Sequence, residues 1–299
     1  MLKFECYCGK QDKQNVFKRR QCSSRKFNSK GFINNREHII MQLNFFKYQG
    51  TGNDFIIIDN REGNISLATE QIKHLCDRRF GIGGDGLMLL NLKEGYDFEM
   101  KYYNADGNES SMCGNGGRCL VKFAYQLGIH KENYFFTAID GEHQAIIKDN
   151  GWVYLKMKDV KGIEKKHSDS VMDTGSPHYV KSVVHVAGYE VYKTGKEIRY
   201  SDDFTKEGIN VNFAEELNDK EIFVRTYERG VEDETLSCGT GVTAAALVFA
   251  HNDNGFNRIE VKTLGGHLAV EFDKTGEDSF KNIWLCGPAE FVFKGEVDV

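Results

Sequence analysis

The sequence predicts an α+β protein made of two similar β-rich halves, and three observations carry that reading. Short strand-like apolar runs outnumber helical stretches along the chain. Strands and helices do not alternate regularly, as a βαβ fold requires. The second half also echoes the first. Ser111-Met112-Cys113-Gly114-Asn115-Gly116-Gly117 leads into a helix-compatible run at 118–127, and Leu236-Ser237-Cys238-Gly239-Thr240-Gly241 leads into another at 242–251. Each half thus carries one cysteine at one helix start.

In chain order, residues 1–40 are rich in Lys, Arg, Asn and Ser, with Glu5, Asp12 and Glu37 their only acids, and read as a basic, disordered extension. Cys6 and Cys8 form a CxC without the further ligands a metal site requires. Folding is expected to begin at Met41 with the strand-like QLNFFKYQG, followed by a buried strand at 55–58. Residues 69–80 read as a helix with Ile72, Leu75 and Cys76 on its apolar side and Gly81 beyond its end. Strands are expected at 87–90, 96–103, 134–137, 144–147 and 153–157. In the second half they are expected at 180–186, 190–191, 222–227, 258–262, 268–272 and 282–285, with a hairpin turn at Leu264-Gly265-Gly266-His267.

The 299 residues, 40% of them apolar and 12% aromatic, suffice for a substantial core. The 44 acidic against 39 basic side chains leave a formal charge of -5, without the cationic field that favours nucleic acid or an anionic membrane. No run approaches the roughly 20 apolar residues that span a bilayer, and no secretory apolar core follows Met1. A soluble, intracellular protein acting on a small polar metabolite is expected. The eight cysteines lack the density of a disulfide scaffold and the spacing of a zinc site, so reduced thiols and no metal are expected.

A single cysteine is ordinarily a small buried apolar residue. The repeated context of Cys113 and Cys238 points elsewhere. Glycines bare the backbone N–H groups beside each sulfur, and a helix start adds unpaired donors and the positive end of the dipole. Such a place favours a thiolate and binds an anion. Two such places face to face would hold a carboxylate with a sulfur on either side of its α-carbon. One thiolate then removes a proton from one face, and the other thiol returns one to the opposite face. Polar clusters at Gly50-Thr51-Gly52-Asn53-Asp54, Asn104-Ala105-Asp106-Gly107-Asn108 and Glu228-Arg229-Gly230 together supply amides, an acid and a base for a zwitterionic ligand, although each alone reads more readily as a turn. His178, after Pro177, is either a structural imidazole or a group that accepts or relays a thiol proton. Gly81-Ile82-Gly83-Gly84-Asp85-Gly86 follows a helix and precedes a strand, the reverse of a dinucleotide-binding turn.

Together GTGNDFIIID, GGDGL, YYNADGNESSMCGNGGRC, GSPH, NVNF and YERGVEDETLSCGTGVTAAA resemble diaminopimelate epimerase from Met41 to near Val299. The resemblance implies two β-rich, barrel-like domains, each wrapped around a central helix, with the active site in the cleft between them. It places these domains at 41–158 and 159–285, with the tail 286–299 returning to the first. It implies interconversion of LL- and meso-2,6-diaminopimelate without pyridoxal phosphate or metal, in lysine and peptidoglycan precursor biosynthesis. A cytoplasmic homodimer is expected on the same ground. Cys113 and Cys238 match the acid/base pair, and His178 and Glu228 the groups that assist them. Asn53, Asn104, Asn210, Glu228 and Arg229 match substrate ligands, Arg229 for the distal carboxylate. Gly114, Asn115, Gly239 and Thr240 match the helix-end donors. Three departures stand out: Ser176 where Asn is common, Gly86 where Gln is common, and one extra residue between Glu228 and Cys238. Alternative readings are a proline or hydroxyproline racemase, an inactive binding homologue, and a dithiol switch. The first lacks a use for a distal anion site, and the second for the paired sulfurs.

Overall fold

The computed structural model describes residues 41–299 together with the strand Lys3–Glu5, which pairs antiparallel with Lys294–Glu296. The rest of the basic 1–40 stretch, including Cys6 and Cys8, lies outside the described residues. Gln42–Gly50 and Asn53–Asp59 form a hairpin whose two central residues, Thr51 and Gly52, both have positive φ, 52° and 85°. That is the type I′ geometry that matches strand twist, and it is unusual for a β-branched residue.

The two halves repeat one topology. In the first, Asn53–Asp59 lies parallel to Gly86–Asn91, the crossover carrying helix α1 (Thr69–Cys76). Gly86–Asn91 pairs antiparallel with Phe98–Asn104, which lies parallel to Asn133–Ala138 across helix α2 (Gly114–Gln126). A meander through Gly141–Ile147 and Val153–Lys156 follows. In the second half, Pro177–Ser182 lies parallel to Asn210–Asn218 across helix α3 (Val191–Arg199). Asn210–Asn218 pairs with Glu221–Glu228, which lies parallel to Gly255–Thr263 across helix α4 (Gly239–Val248). A meander through Gly266–Gly276 and Ser279–Gly287 closes this half. Ser279–Gly287 joins the halves by pairing with Val153–Lys156, and Glu290–Asp298 runs beside Gln42–Gly50.

The apolar residues explain why α2 and α4 sit at the centre. Helix α4 is apolar on every side and buried from Gly241 to Leu247, as a helix without a solvent face must be. Leu120, Val121 and Phe123 of α2 share one continuous core with Val242 and Leu247 of α4.

Three expected elements differ. Helix α1 ends at Cys76, not at 80, because the Asp77 carboxylate accepts the N–H groups of Arg79 and Phe80 at 2.7 Å each and turns the chain. Gly83 and Gly84 then donate their N–H groups to Leu75 and Cys76 carbonyls, so the glycine-rich loop caps the helix. The strand expected at 180–186 is Pro177–Ser182, with a 3-10 turn at Val186–Gly188. The segment read as a strand at 190–191 opens helix α3. Its β-branched and aromatic start resembles a strand, but Val191 and Gly195 form an i, i+4 face against the sheet. A Cβ at Gly195 would come within 2.4 Å of the Tyr227 Cβ. The expected turn at 264–267 is the hairpin closed by Thr263 and Gly266.

Candidate active site

Cys113 and Cys238 each take the N-cap position of a central helix, with extended backbone, φ −90° and −115°. Their carbonyls accept the first intrahelical bonds, from Gly117 at 2.7 Å and Val242 at 2.8 Å. The two helix starts abut: a Cβ on Gly114 would stand 3.8 Å from the Gly239 Cα, with Leu285 wedged against both glycines. Glycine at both positions permits this approach. The N-terminal ends of two helices therefore converge beside two sulfurs, a concentration of bare N–H donors and positive dipole suited to a carboxylate.

Around Cys113 the polarity is set from the sheet. Asp85 accepts Asn53 Nδ2–H and, at 3.1 Å, the Asp54 N–H. Arg78 in turn bridges Asp54 and Asp85 at 2.6 Å each. With its NH₂ held by a carboxylate, Asn53 turns its Oδ1 towards the Cys113 thiol, 3.6 Å away, and towards Asn115 Nδ2 at 3.4 Å. Asn115 also donates to the Ser237 carbonyl at 3.1 Å, tying the start of α2 to the segment before α4. Its Oδ1 has no partner although buried, as has the Ser237 hydroxyl.

Around Cys238 a chain of hydrogen bonds fixes the histidine. Asn212 Nδ2 donates to the Tyr179 carbonyl and to His178 Nδ1, each at 3.0 Å, while its Oδ1 accepts from Thr226 at 2.9 Å. Because a carbonyl can only accept, the Asn212 amide cannot be reversed, and Nδ1 of His178 is an acceptor. The proton therefore sits on Nε2, which donates to Thr240 Oγ1 at 2.8 Å, and the threonine hydroxyl faces Cys238 Sγ at 3.5 Å. His178 thus reaches the sulfur through Thr240. Burial lowers its pKa to about 3, so the imidazole is neutral.

That buried histidine has a measurable consequence. Unfolded, it binds a proton below about pH 6.5; folded, not until about pH 3. Between those values the unfolded state holds more protons, so stability falls as pH falls, by up to about 1.4 kcal/mol per unit. His178→Gln is expected to flatten this dependence in urea unfolding between pH 7 and 4.5. An unchanged slope in the variant would contradict the neutral assignment. Glu228, whose pKa is raised, acts in the opposite sense in both proteins and drops out of the difference.

Burial pushes both thiols up, and the nearby Glu228 carboxylate adds to the shift; N–H groups of Gly116 and Asn115 at Cys113, and of Gly241 at Cys238, oppose it. Burial also raises Glu228, whose Oε2 accepts from Thr235 at 2.9 Å. Arg229 donates to the Glu207 carbonyl at 3.0 Å and to Ser176 Oγ at 3.3 Å, and pairs with no carboxylate among the described residues. Asn210 donates to Ser176 Oγ at 2.9 Å and accepts the Arg229 N–H at 2.9 Å. Asn104 stands exposed at its strand end opposite Gly86, held by backbone bonds to Gly107 and Asn108.

The three departures find physical explanations. Ser176 still serves both Asn210 and Arg229. A side chain at position 86 has no room, since its Cβ would lie 2.5 Å from the Tyr102 ring and 3.0 Å from the phenol oxygen. The extra residue after Glu228 is absorbed in a turn where Glu232 takes positive φ, 58°, and donates its N–H to the Glu228 carbonyl at 2.8 Å. Asp85, Tyr102, Asn212 and Thr226 join the candidate site without a local signal in the sequence. Asp85 lies within the glycine-rich segment 81–86, and Asn212 within NVNF, but nothing local marks their partners. No helix among the described residues is long and apolar enough to cross a membrane.

A family profile described as diaminopimelate epimerase matches residues 45–161 and 170–292. The diaminopimelate epimerase of Flavobacterium psychrophilum is 49% identical over 259 residues, covering 84% of this chain and 99% of that one. That of Chlorobaculum tepidum is 41% identical over 258 residues, covering 83% and 98%. Among solved structures, a PhzF-family phenazine biosynthesis protein of Bacillus anthracis superposes with a TM-score of 0.67 at 16% identity, covering 86% of this chain and 99% of that one. A hydroxyproline epimerase of Agrobacterium vitis does so with 0.60 at 13% identity, covering 86% and 93%. These two share the fold, two similar β-rich units each with a central helix. The matched profile and the identities over most of the chain place this protein in the diaminopimelate epimerase family, and it is an isomerase.

Proposed function

We propose that this enzyme interconverts LL- and meso-2,6-diaminopimelate in the cytoplasm, with Cys113 and Cys238 exchanging the α-proton across the two faces of one stereocentre. The observation that carries this reading is the meeting of two helix starts, each capped by a cysteine, at Gly114 and Gly239. A substrate carboxylate bound to the bare N–H groups of Gly114, Asn115, Gly239 and Thr240 sets its α-carbon between the sulfurs. The thiolate on one side takes the α-proton. The electron pair left on carbon delocalises into the carboxylate, where the helix-end donors hold the growing charge. The opposite thiol delivers its proton to the other face and becomes the thiolate, so each turnover reverses the roles of the pair.

Glu228 couples binding to ionisation. Its charge helps hold both thiols protonated while the site is empty. A substrate ammonium beside it cancels that charge and eases loss of a thiol proton. His178 is a positioning residue that orients Thr240 towards Cys238. At the far end, Arg229 with Asn210 takes the distal carboxylate, and Asn53 and Asn104 contribute amides. We assign the domains to 41–158 and 159–285, with 286–299 joining the first, and the assembly to a homodimer, following the family resemblance.

The test is incubation with LL-diaminopimelate in deuterated water, without added cofactor and under reducing conditions. Deuterium at the α-carbon together with the meso isomer is expected. Exchange with proline and none with the diacid would overturn the substrate assignment, and exchange with neither would overturn the reaction.

A further inference from the structure

Arg118 is among the largest fully enclosed side chains of the protein, with no exposed surface. Its guanidinium donates to Thr51 Oγ1 at 2.9 Å, to the Gly114 carbonyl at 3.3 Å and to the Pro288 carbonyl at 3.4 Å. All three acceptors are neutral, and no carboxylate among the described residues pairs with it. A buried cation without an anion is among the most costly arrangements in a protein interior, and removing the charge while keeping the shape is ordinarily neutral or stabilising. Holding three neutral acceptors does not account for a full positive charge at this place. An anion that forms nearby does. The ionisable groups facing Arg118 are the thiols of Cys113, Cys119 and Cys286. Burial pushes all three thiols up; Cys119 and Cys286 are wholly enclosed in the core, whereas Cys113 sits at the start of α2 beside the candidate site. Cys113 is the partly exposed thiol of the three, and the carbonyl that Arg118 grips belongs to the very next residue.

We infer that Arg118 is a positioning residue whose buried charge stabilises the Cys113 thiolate from beneath the start of α2. The inference builds on the proposed role of Cys113 but concerns its ionisation. The other groups facing Cys113 are Glu228, Tyr102, Cys119 and Cys238, all of which carry negative charge when ionised and so oppose the thiolate. Arg118 is the cation that answers them. The same grip reaches Thr51, at positive φ in the hairpin turn, and Pro288 after the strand that joins the halves. A purely structural staple is therefore the competing explanation.

Two variants separate charge from staple. Arg118→Lys keeps the charge and loses the planar fork; Arg118→Gln keeps amide donors and loses the charge. The readout is the pH dependence of iodoacetamide alkylation at Cys113, followed by mass spectrometry of the intact full-length protein, with the pH profile of kcat/KM alongside. Arg118→Gln is expected to move the alkylation midpoint about one to three pH units upward, and Arg118→Lys to leave it near wild type. If both variants shift the alkylation midpoint equally, or neither shifts it, the inference is overturned and Arg118 is a staple. Should Arg118→Gln fail to fold, Thr51→Ala takes its place: it removes a staple contact and leaves the charge, so a shifted Cys113 midpoint there overturns the inference and an unshifted one supports it. Because alkylation needs no turnover, failure of the epimerase reading would show as an inactive wild type and would leave this result separately readable.

Discussion

Cys113→Ala and Cys238→Ala are each expected to abolish epimerisation, with a loss of at least about 10²- to 10⁴-fold, the range of a positioned acid or base. The physical reason is that inversion needs a proton donor and acceptor on opposite faces, and each helix start supplies one sulfur. The diagnostic quantity is the relation between exchange and inversion. In deuterated water the wild type should produce deuterated epimer, whereas a variant with one sulfur can at most exchange the proton on one face and restore the starting configuration. Cys→Ser variants should retain more partial reaction than Cys→Ala, since a hydroxyl is a poor base but still donates a proton. Normal turnover by either alanine variant, measured as meso isomer formed from LL-diaminopimelate, would remove that cysteine from the mechanism.

Arg229→Ala should raise KM for the diacid and lower kcat/KM by about 2 to 5 kcal/mol of transition-state stabilisation, the range for leaving one partner of a buried charge pair alone. The guanidinium is anchored by Glu207 and Ser176 through neutral oxygens and has no acidic partner among the described residues, so its charge is available for a ligand. The expectation is specific to the distal end: α-exchange in a monocarboxylate analogue should change far less than in the diacid. Equal losses on both substrates would place the distal carboxylate elsewhere.

The residues of the candidate site were legible in the sequence wherever they lie in contiguous segments. Both cysteines sit in glycine-flanked helix starts, and a helix start declares its free N–H groups locally. Glu228 and Arg229 adjoin in one turn. Helix α3 was not legible, because its opening Val191 and Tyr192 favour a strand and its helical face exists only where Gly195 meets Tyr227. Helix α1 was overextended because the Asp77 turn is a side-chain competition with the helix, which apolar periodicity does not register.

The sequence by itself determined the α+β class, the internal repeat, the pair of cysteines and the family, since periodicity and motif chemistry are properties of neighbouring residues. Only the tertiary structure decided how those groups are polarised. Asp85 turns the Asn53 amide from 32 positions away, Asn212 sets the histidine tautomer from 34 positions away, and Arg118 is closed in by Thr51 and Pro288 from opposite ends of the chain. Hydrogen-bond direction and buried charge depend on which partners the folded chain brings within about 3 Å, and sequence distance carries no record of that.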